Sequence, residues 1–403
     1  MILNKQIKLL RKFLGNINSQ RFGSKNQLTK IAKFSYLPLS WVVEILGDAL
    51  FFWKRRGHRG IANPRRMLII KVDELGDTLW STLLLPAIKS RYPNSEIDYL
   101  VHPRSKLILE KNPHVANIFF WEDIFLRFLP GRGRGGPAGL RQVMKRNYQT
   151  LRALRQRKYD AVINARAYHP SSNVPWRKIG GALIAFDIAE QSFLADYWAD
   201  YDLESEEWEN YLNLLIPLGI LGPKTDLMGE FYDCSGANPM AGVKNYAVVS
   251  PVTFDEEKKW GKRNWKEVIS FIASEGISVA LTGIPSQRGY LEQLASNFGN
   301  MVKVCAEMKI SEFGALMKDA AFFIGIESFP AHLALALRKQ SFFLVNSKVY
   351  YLKGKSPKKF ALDARSMLPI ISNAQFFDVT SASARDVKDP LATEVLSKLG
   401  IER

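Results

Sequence analysis

Three short stretches bring together side chains able to do chemistry. In KVDELGDTLW (71–80) the pair Gly76-Asp77 sets a carboxylate where the apolar run Met67-Leu68-Ile69-Ile70 ends and a helical pattern begins. An Asp at such a point caps a helix by accepting backbone N–H bonds and complementing the dipole. Asp73 and Thr78 could serve as well, and Gly76 points instead to something that approaches the backbone closely. In SPVTFDEEKKWGKRNW (250–265), Thr253 and Lys258-Lys259 offer the hydroxyl and ammonium donors that a diphosphate needs. The bland reading is a solvated charged loop, against which Trp260 and Trp265 stand, because aromatic rings need cover. In IGIESFPAHLALAL (324–337), Glu327-Ser328 precede a helix that opens near His332, and free N–H groups at a helix start attract anions. His332 could bind a phosphate oxygen or cap a core helix, and taken alone the core role is favoured.

The surrounding pattern says how these stretches are carried. Short apolar runs alternate with amphipathic stretches from residue 66 onward, as in an α/β protein with parallel sheets. MLIIKV, EIDYLV and AVINA read as strands of a first series, with TLWSTLLLPAIKSRY, KLILEKN and NYQTLRALRQRK as its helices. The interval 126–147, with PGRGRGGPAGLRQ, reads as a loop. Residues 222–245 lack periodicity and read as an interdomain linker. A second series follows, with YAVVSPV, SVALTGI, AFFIGI and SFFLVN as strands, and NWKEVISFIASEG, RGYLEQLASNFG, SEFGALMKDA and PAHLALALR as helices. Two such series predict two Rossmann-like domains facing across a cleft, with ligands at the carboxyl ends of strands. The expected organisation is a basic amino-terminal extension (1–65), a first Rossmann-like domain (66–235), a second (236–375), and a tail (376–403) packing back on the first. Neither series has G-x-G-x-x-G after its first strand, which argues against an oxidoreductase.

Charge is placed unevenly along the 403 residues. The net charge is +17, yet residues 1–66 hold fourteen Lys or Arg against Glu44 and Asp48, and residues 127–158 hold ten Lys or Arg and no acid. The rest is mildly acidic, so two local surfaces are built for an anionic partner. Within YLPLSWVVEILGDALFFW (36–53), Ser40, Glu44 and Asp48 form one polar stripe on an otherwise apolar helix. With Lys30, Lys33 and Lys54-Arg55-Arg56 flanking it, the segment suits a helix lying in an anionic membrane face, or one packed on the protein itself. Its two acids disfavour a membrane span. Cys234 and Cys305 are too few for a disulfide framework or a Cys-based zinc site, and a reducing cytosol is expected.

In their order and spacing the three stretches resemble glycosyltransferase family 9, the ADP-heptose:lipopolysaccharide heptosyltransferases. The first is similar to the family's opening strand and Gly-Asp turn, with Tyr92-Pro93 after the helix. The second resembles its nucleotide-sugar loop, here Thr253, Lys258 and Trp260. The third resembles its Asp-Ser-Gly-x-x-His segment, here Glu327, Ser328, Phe329 and His332. SEEWENYLNLLIPLGI matches the helix before the linker. The resemblance implies a GT-B fold with the acceptor in the amino-terminal half and the nucleotide sugar in the carboxyl-terminal half. It implies an inverting, metal-independent transfer with no cofactor. Asp77 would be the general base, Thr253 and Lys258 would steady the departing diphosphate, and Glu327, Ser328 and His332 would hold sugar and phosphates. The expected partners are a nucleotide sugar, an anionic glycolipid acceptor facing residues 127–158, and an anionic membrane surface met through residues 1–60. No nucleic-acid motif is present. The expected location is cytoplasmic, peripheral on the inner face of the cytoplasmic membrane.

The departures from the family pattern fall mainly in the second half. Glu327 is one methylene longer than the family's Asp, and Phe329 replaces a Gly. Ser250-Pro251 stands where His-Pro or His-Ala is common, Phe254 where a second hydroxyl is common, and Gly283-Ile284-Pro285-Ser286-Gln287 replaces Gly-Gly-x-x-Glu. Two alternatives therefore stay open, a transferase with a different nucleotide-sugar donor and a non-catalytic membrane-associated binding module of the same fold.

Overall fold

The computed structural model describes residues 46–47, 50, 60–123, 139–166, 173–188, 192–202, 207–221, 229–253, 258–345, 374–378 and 382–392. The chain divides into two compact units at Leu227/Met228.

In the first unit the order is β1 (Arg66–Lys71), α1 (Leu75–Ser81), α2 (Leu84–Arg91), β2 (Glu96–Val101), α3 (Lys106–Leu109), β3 (Asn117–Phe120), α4 (Leu140–Gln156), β4 (Ala161–Asn164), α5 (Val174–Arg177), β5 (Ala182–Phe186), β6 (Tyr197–Ala199) and α6 (Glu207–Asn213). Its strands form a six-stranded parallel sheet ordered β3-β2-β1-β4-β5-β6. The second unit runs β7 (Tyr246–Ser250), α7 (Lys262–Ser274), β8 (Ser278–Thr282), α8 (Arg288–Ala295), β9 (Val302–Cys305), α9 (Ile310–Asp319), β10 (Phe322–Ile326), α10 (Phe329–Ala336), β11 (Ser341–Val345), β12 (Ala374–Asp378) and α11 (Ala384–Leu391). Its sheet is also six-stranded and parallel, ordered β12-β11-β10-β7-β8-β9. Central strands of such sheets are covered on both faces and so read as unbroken apolar runs. Met67 to Ile70 in β1 and Ala247 to Val249 in β7 are accordingly wholly buried. In each sheet the chain starts in the middle, builds to one edge, then crosses over to build the other side. The reversal lies between β1 and β4 in one and between β7 and β10 in the other, the position where open α/β sheets take their ligands.

Several elements differ from expectation for identifiable reasons. The single helix expected over 78–92 is two, because Pro86, third in α2, lacks the N–H that would bond Thr82 and its ring conflicts with that carbonyl. The expected loop to 147 ends sooner. Gly139, at φ 79°, starts α4, and Val143, Asn147 and Leu154 give that helix its buried face. Residues 124–138 lie outside the described residues.

The stretch read as a linker belongs partly to the second unit. Phe231 is buried, Asn238 donates to Asp319 Oδ2 at 2.8 Å, and a side chain at Gly236 would collide with the backbone of Ser311 and Glu312. The tail also joins the second unit where it is described. Residues Ala374–Asp378 pair with β11, and α11 buries Ala384, Val387 and Leu391 in the core that holds α7. An apolar face at that spacing has its cover there and does not need the first unit. Strands β3, β5, β6, β9 and β12 were not anticipated.

The basic extension lies outside the described residues as far as Arg59, apart from Leu46, Gly47 and Leu50. Gly47 is buried against the ring of Phe193, so that turn of segment 36–53 rests on the first unit, while Leu46 and Leu50 are exposed. Among the described residues no helix is long and apolar enough to cross a membrane.

Candidate active site

At the reversal point of the first sheet, charged side chains follow directly from apolar strands. Lys71 ends β1, Asp73 stands two residues beyond it, and Arg166 two residues beyond β4. Their side chains turn inward. Lys71 Nζ lies 2.9 Å from Asp73 Oδ2, donates to Ala165 O at 3.0 Å and faces the Tyr211 ring at 5.2 Å. Arg166 Nε donates to the other Asp73 oxygen at 3.1 Å, and its Nη2 reaches Asp123 Oδ2 at 3.4 Å. Two cations and two carboxylates thus balance one another out of reach of water, with Arg166 only 2% exposed. Burial works against the Lys71 ammonium, but Asp73, Tyr211 and Asp77 outweigh it and hold the pKa well above the usual lysine value. Sequence reasoning considered Asp73 only as a cap and passed over Lys71 and Arg166. The available signal was a set of charged residues at the carboxyl ends of two neighbouring strands.

Asp77 stands just outside this set. It is the third residue of α1, exposed, with buried Gly76 before it. The cap position belongs to Glu74, whose side chain makes no capping bond. The capping role weighed for Asp77 is therefore not the one it has. An ionised carboxylate in the first helical turn faces the positive end of the backbone dipoles, and here Lys71 lies within electrostatic reach.

At the reversal point of the second sheet, β7 and β10 run side by side with Ser250 opposite Gly325, so the segments that leave them emerge as neighbours. This brings Lys258, Glu327 and His332 together. Lys258 Nζ pairs with Glu327 Oε2 and lies 3.4 Å from the Glu327 carbonyl, while His332 Nε2 lies 3.8 Å from Glu327 Oε1. Glu327 is anchored by its own N–H, which donates to Leu344 O at 2.9 Å. Thr253 is half-buried just beyond β7. Ser328 turns its hydroxyl back to Ile326 O at 3.0 Å. The loop holding Lys258 is fastened to the core of the second unit. Trp260 and Trp265 are buried edge to face at 5.0 Å, and Trp260 Nε1 donates to Ala382 O at 3.0 Å.

One expectation at α10 changes. The helix start is a poorer anion site than a run of free amides would be, because Pro330 has no N–H and those of Ala331 and His332 donate to Ser328 O. Phe329, where the resemblance expects a Gly, has its ring toward α9, 6.3 Å from that of Phe313. Among the described residues no group of three or more His, Cys, Asp or Glu could hold a metal ion.

The arrangement offers an exposed carboxylate at one strand end, able to take a proton, and a cation paired with an acid and an imidazole at another, able to hold phosphate. Residues 148–344 match glycosyltransferase family 9 (heptosyltransferase). Lipopolysaccharide heptosyltransferase 3 of Escherichia coli K12 is 27% identical over 282 residues, covering 65% of this chain and 77% of that protein. Lipopolysaccharide heptosyltransferase 1 of the same strain is 24% identical over 283 residues, covering 68% and 85%. Among solved structures, E. coli heptosyltransferase WaaC with ADP superposes with a TM-score of 0.65 at 20% identity, covering 81% of this chain and 99% of that one. E. coli ADP-heptose lps heptosyltransferase II does so at 0.64 and 15%, covering 83% and 99%. The two parallel-sheet units therefore have the fold of the GT-B heptosyltransferases, and the chain carries a glycosyltransferase family 9 (heptosyltransferase) domain.

Proposed function

We propose that this heptosyltransferase-type enzyme moves heptose from ADP-heptose to a lipopolysaccharide-type glycolipid, with inversion at the anomeric carbon and without a metal. In this reading the first unit is the acceptor domain and the second the nucleotide-sugar domain. The acceptor hydroxyl oxygen bonds to the anomeric carbon, the bond from that carbon to the β-phosphate oxygen breaks, and its electron pair leaves with ADP. Asp77 takes the hydroxyl proton. Lys258 and Thr253 meet the charge that grows on the diphosphate, and Glu327, Ser328 and His332 hold sugar and phosphate oxygens. The observation that carries this reading is the Lys258–Glu327–His332 group at the ligand-taking end of β7 and β10, in a chain carrying this family's domain. The likeness in sequence to lipopolysaccharide heptosyltransferases 1 and 3 supports the acceptor class. Attachment to an anionic membrane face through residues 1–60 belongs to the same proposal, as does a cytoplasmic location on that face, although those residues lie almost wholly outside the described ones.

The test uses the full chain and a panel of nucleotide sugars. ADP and ADP-heptose should raise the melting temperature where UDP- and GDP-sugars do not. Asp77→Asn should keep that shift and lose roughly 10²- to 10⁴-fold in turnover, the usual worth of a general base. Unchanged turnover would end the base assignment. A shift by another nucleotide sugar alone would establish the second reading, a different donor. The longer Glu327 and the Phe329–Phe313 contact, both departures in the donor half, favour that reading. Binding without turnover in the unaltered protein would leave a binding module.

A further inference from the structure

Helix α4 crosses from β3 back to β4 on the first unit and carries five cations and no acid. Val143, Asn147 and Leu154 are its buried face, and Asn147 fastens it by accepting from Glu122 N at 3.1 Å and donating to Glu122 O at 2.8 Å. Successive residues turn by 100° about the helix axis, which divides the outward side into two flanks. Gln142, Gln149 and Gln156 make one flank, neutral along its whole length. Arg141, Met144, Lys145, Tyr148, Arg152 and Arg155 make the other, all of them exposed. Met144 at 54% and Tyr148 at 68% exposure are large apolar groups set among cations, and side chains of this flank border an open concavity. Arg146, at the margin, is already paired with Glu122. No ion pair among the described residues engages the other four cations.

We infer that this flank of α4 is a docking surface for an anionic lipid bilayer. A purely electrostatic partner needs only the cations. Interleaved Tyr and Met, in contrast, gain from a phase with an apolar interior, while Arg and Lys reach headgroup phosphates with their stems along the interface. From Arg141 to Arg155 the flank runs about 21 Å at 1.5 Å per residue, long enough to lie along several headgroups. The stacking aromatics that would accompany an extended single strand of nucleic acid are represented by Tyr148 alone. The inference deepens the proposed function and rests on its membrane-held acceptor. It adds a second contact, on a folded element of the acceptor domain.

Full-length protein should be floated with vesicles of phosphatidylethanolamine and phosphatidylglycerol, and with phosphatidylcholine alone. Binding should require the anionic lipid and weaken with salt. The variant R141Q/K145Q/R152Q/R155Q should lose well over tenfold in partition, at about fivefold per cation, and Tyr148→Ser a few-fold. The control Q142A/Q149A/Q156A should bind as the unaltered chain does. Equal partition of the quadruple variant, equal loss in the control, or loss of duplex DNA binding with vesicle binding intact would overturn the inference. An ADP-induced melting shift retained in every variant shows the fold and donor site intact. Absence of that shift from the unaltered chain would defeat the donor reading and leave the vesicle result standing.

Discussion

The two sheets place charged groups at the same topological position and use them differently. In the first unit Lys71, Asp73, Arg166 and Asp123 each have charged partners inside the protein, and Arg166 is 1% and Asp123 7% exposed at the side chain. In the second, Lys258, Glu327 and His332 form a smaller set whose side chains are 9%, 18% and 13% exposed. A closed, balanced network holds backbone in place, because removing any member strands a buried charge. A partly open pair can exchange a protein carboxylate for a ligand phosphate at little loss. The first cluster is thus a platform beside exposed Asp77, and in the proposed function the second is itself the contact surface.

The largest expected effect comes from breaking the platform. Arg166→Met leaves Asp73 and Asp123 with one cation between them and should lower stability by about 3–5 kcal/mol, read as a shift of the urea midpoint. Adding Asp73→Asn should return part of that loss, so that the double variant is less destabilised than the sum of the single ones. Additive losses would show that the side chains do not act as a unit. On activity, the platform predicts that Asp77→Asn leaves the urea midpoint almost where it was, within about 0.5 kcal/mol, since the residue is exposed.

The second cluster predicts effects on binding. Lys258→Ala should weaken ADP by about ten- to a hundredfold, the range for a charge-assisted hydrogen bond. Glu327→Gln should act in the opposite direction on ADP, tightening it a few-fold, because the carboxylate no longer competes with phosphate for Lys258. With the whole nucleotide sugar the gain should shrink or reverse, as the variant loses the sugar contact proposed for Glu327. Calorimetric titration with ADP and with the sugar nucleotide gives both signs, and an unchanged ADP affinity in Glu327→Gln would show that the pair does not open to ligand.

Much of this was legible because parallel strands buried on both faces announce themselves as apolar runs. MLIIKV and AFFIGI lie within a residue of their ends in the structure and YAVVSPV within two, and Lys258, Glu327 and His332 could be assigned to one half of the chain in advance through the resemblance. Short edge strands were not legible. The burial of β3 is only partial, and Val302 to Cys305 is buried only at its two ends, leaving no continuous run. The buried charges of the first unit were hidden for another reason. Lys71, Asp73 and Arg166 are separated by up to 95 residues, and only the pairing of β1 with β4 brings them together. A charged residue at a strand end looks solvated until its neighbour across the sheet is known. Helix α4 shows the same limit, since its cations were plain in the sequence, but their separation from the glutamines needed the helix to reach back to Leu140, through residues read as loop.

His102 offers the smallest and most local test of how closed the first cluster is. It follows β2, accepts the Arg104 N–H at 3.3 Å through Nδ1, and is half-buried. Burial, and then the Arg104 charge, hold its pKa below the usual 6.5, although Glu74, Glu122 and Asp123 pull the other way. The unfolded chain therefore binds a proton there before the folded one does. This contribution to stability is full above about pH 6.5 and is lost as the pH falls below it toward the lowered folded value. His102→Asn, which keeps an acceptor for Arg104, should flatten the fall in urea midpoint between pH 7 and pH 5 while leaving the pH 7 value nearly unchanged. Identical slopes in the two proteins would mean that the carboxylates near His102 cancel the effect of burial, and that the carboxyl end of β2 is as open to water and charge as the second cluster is.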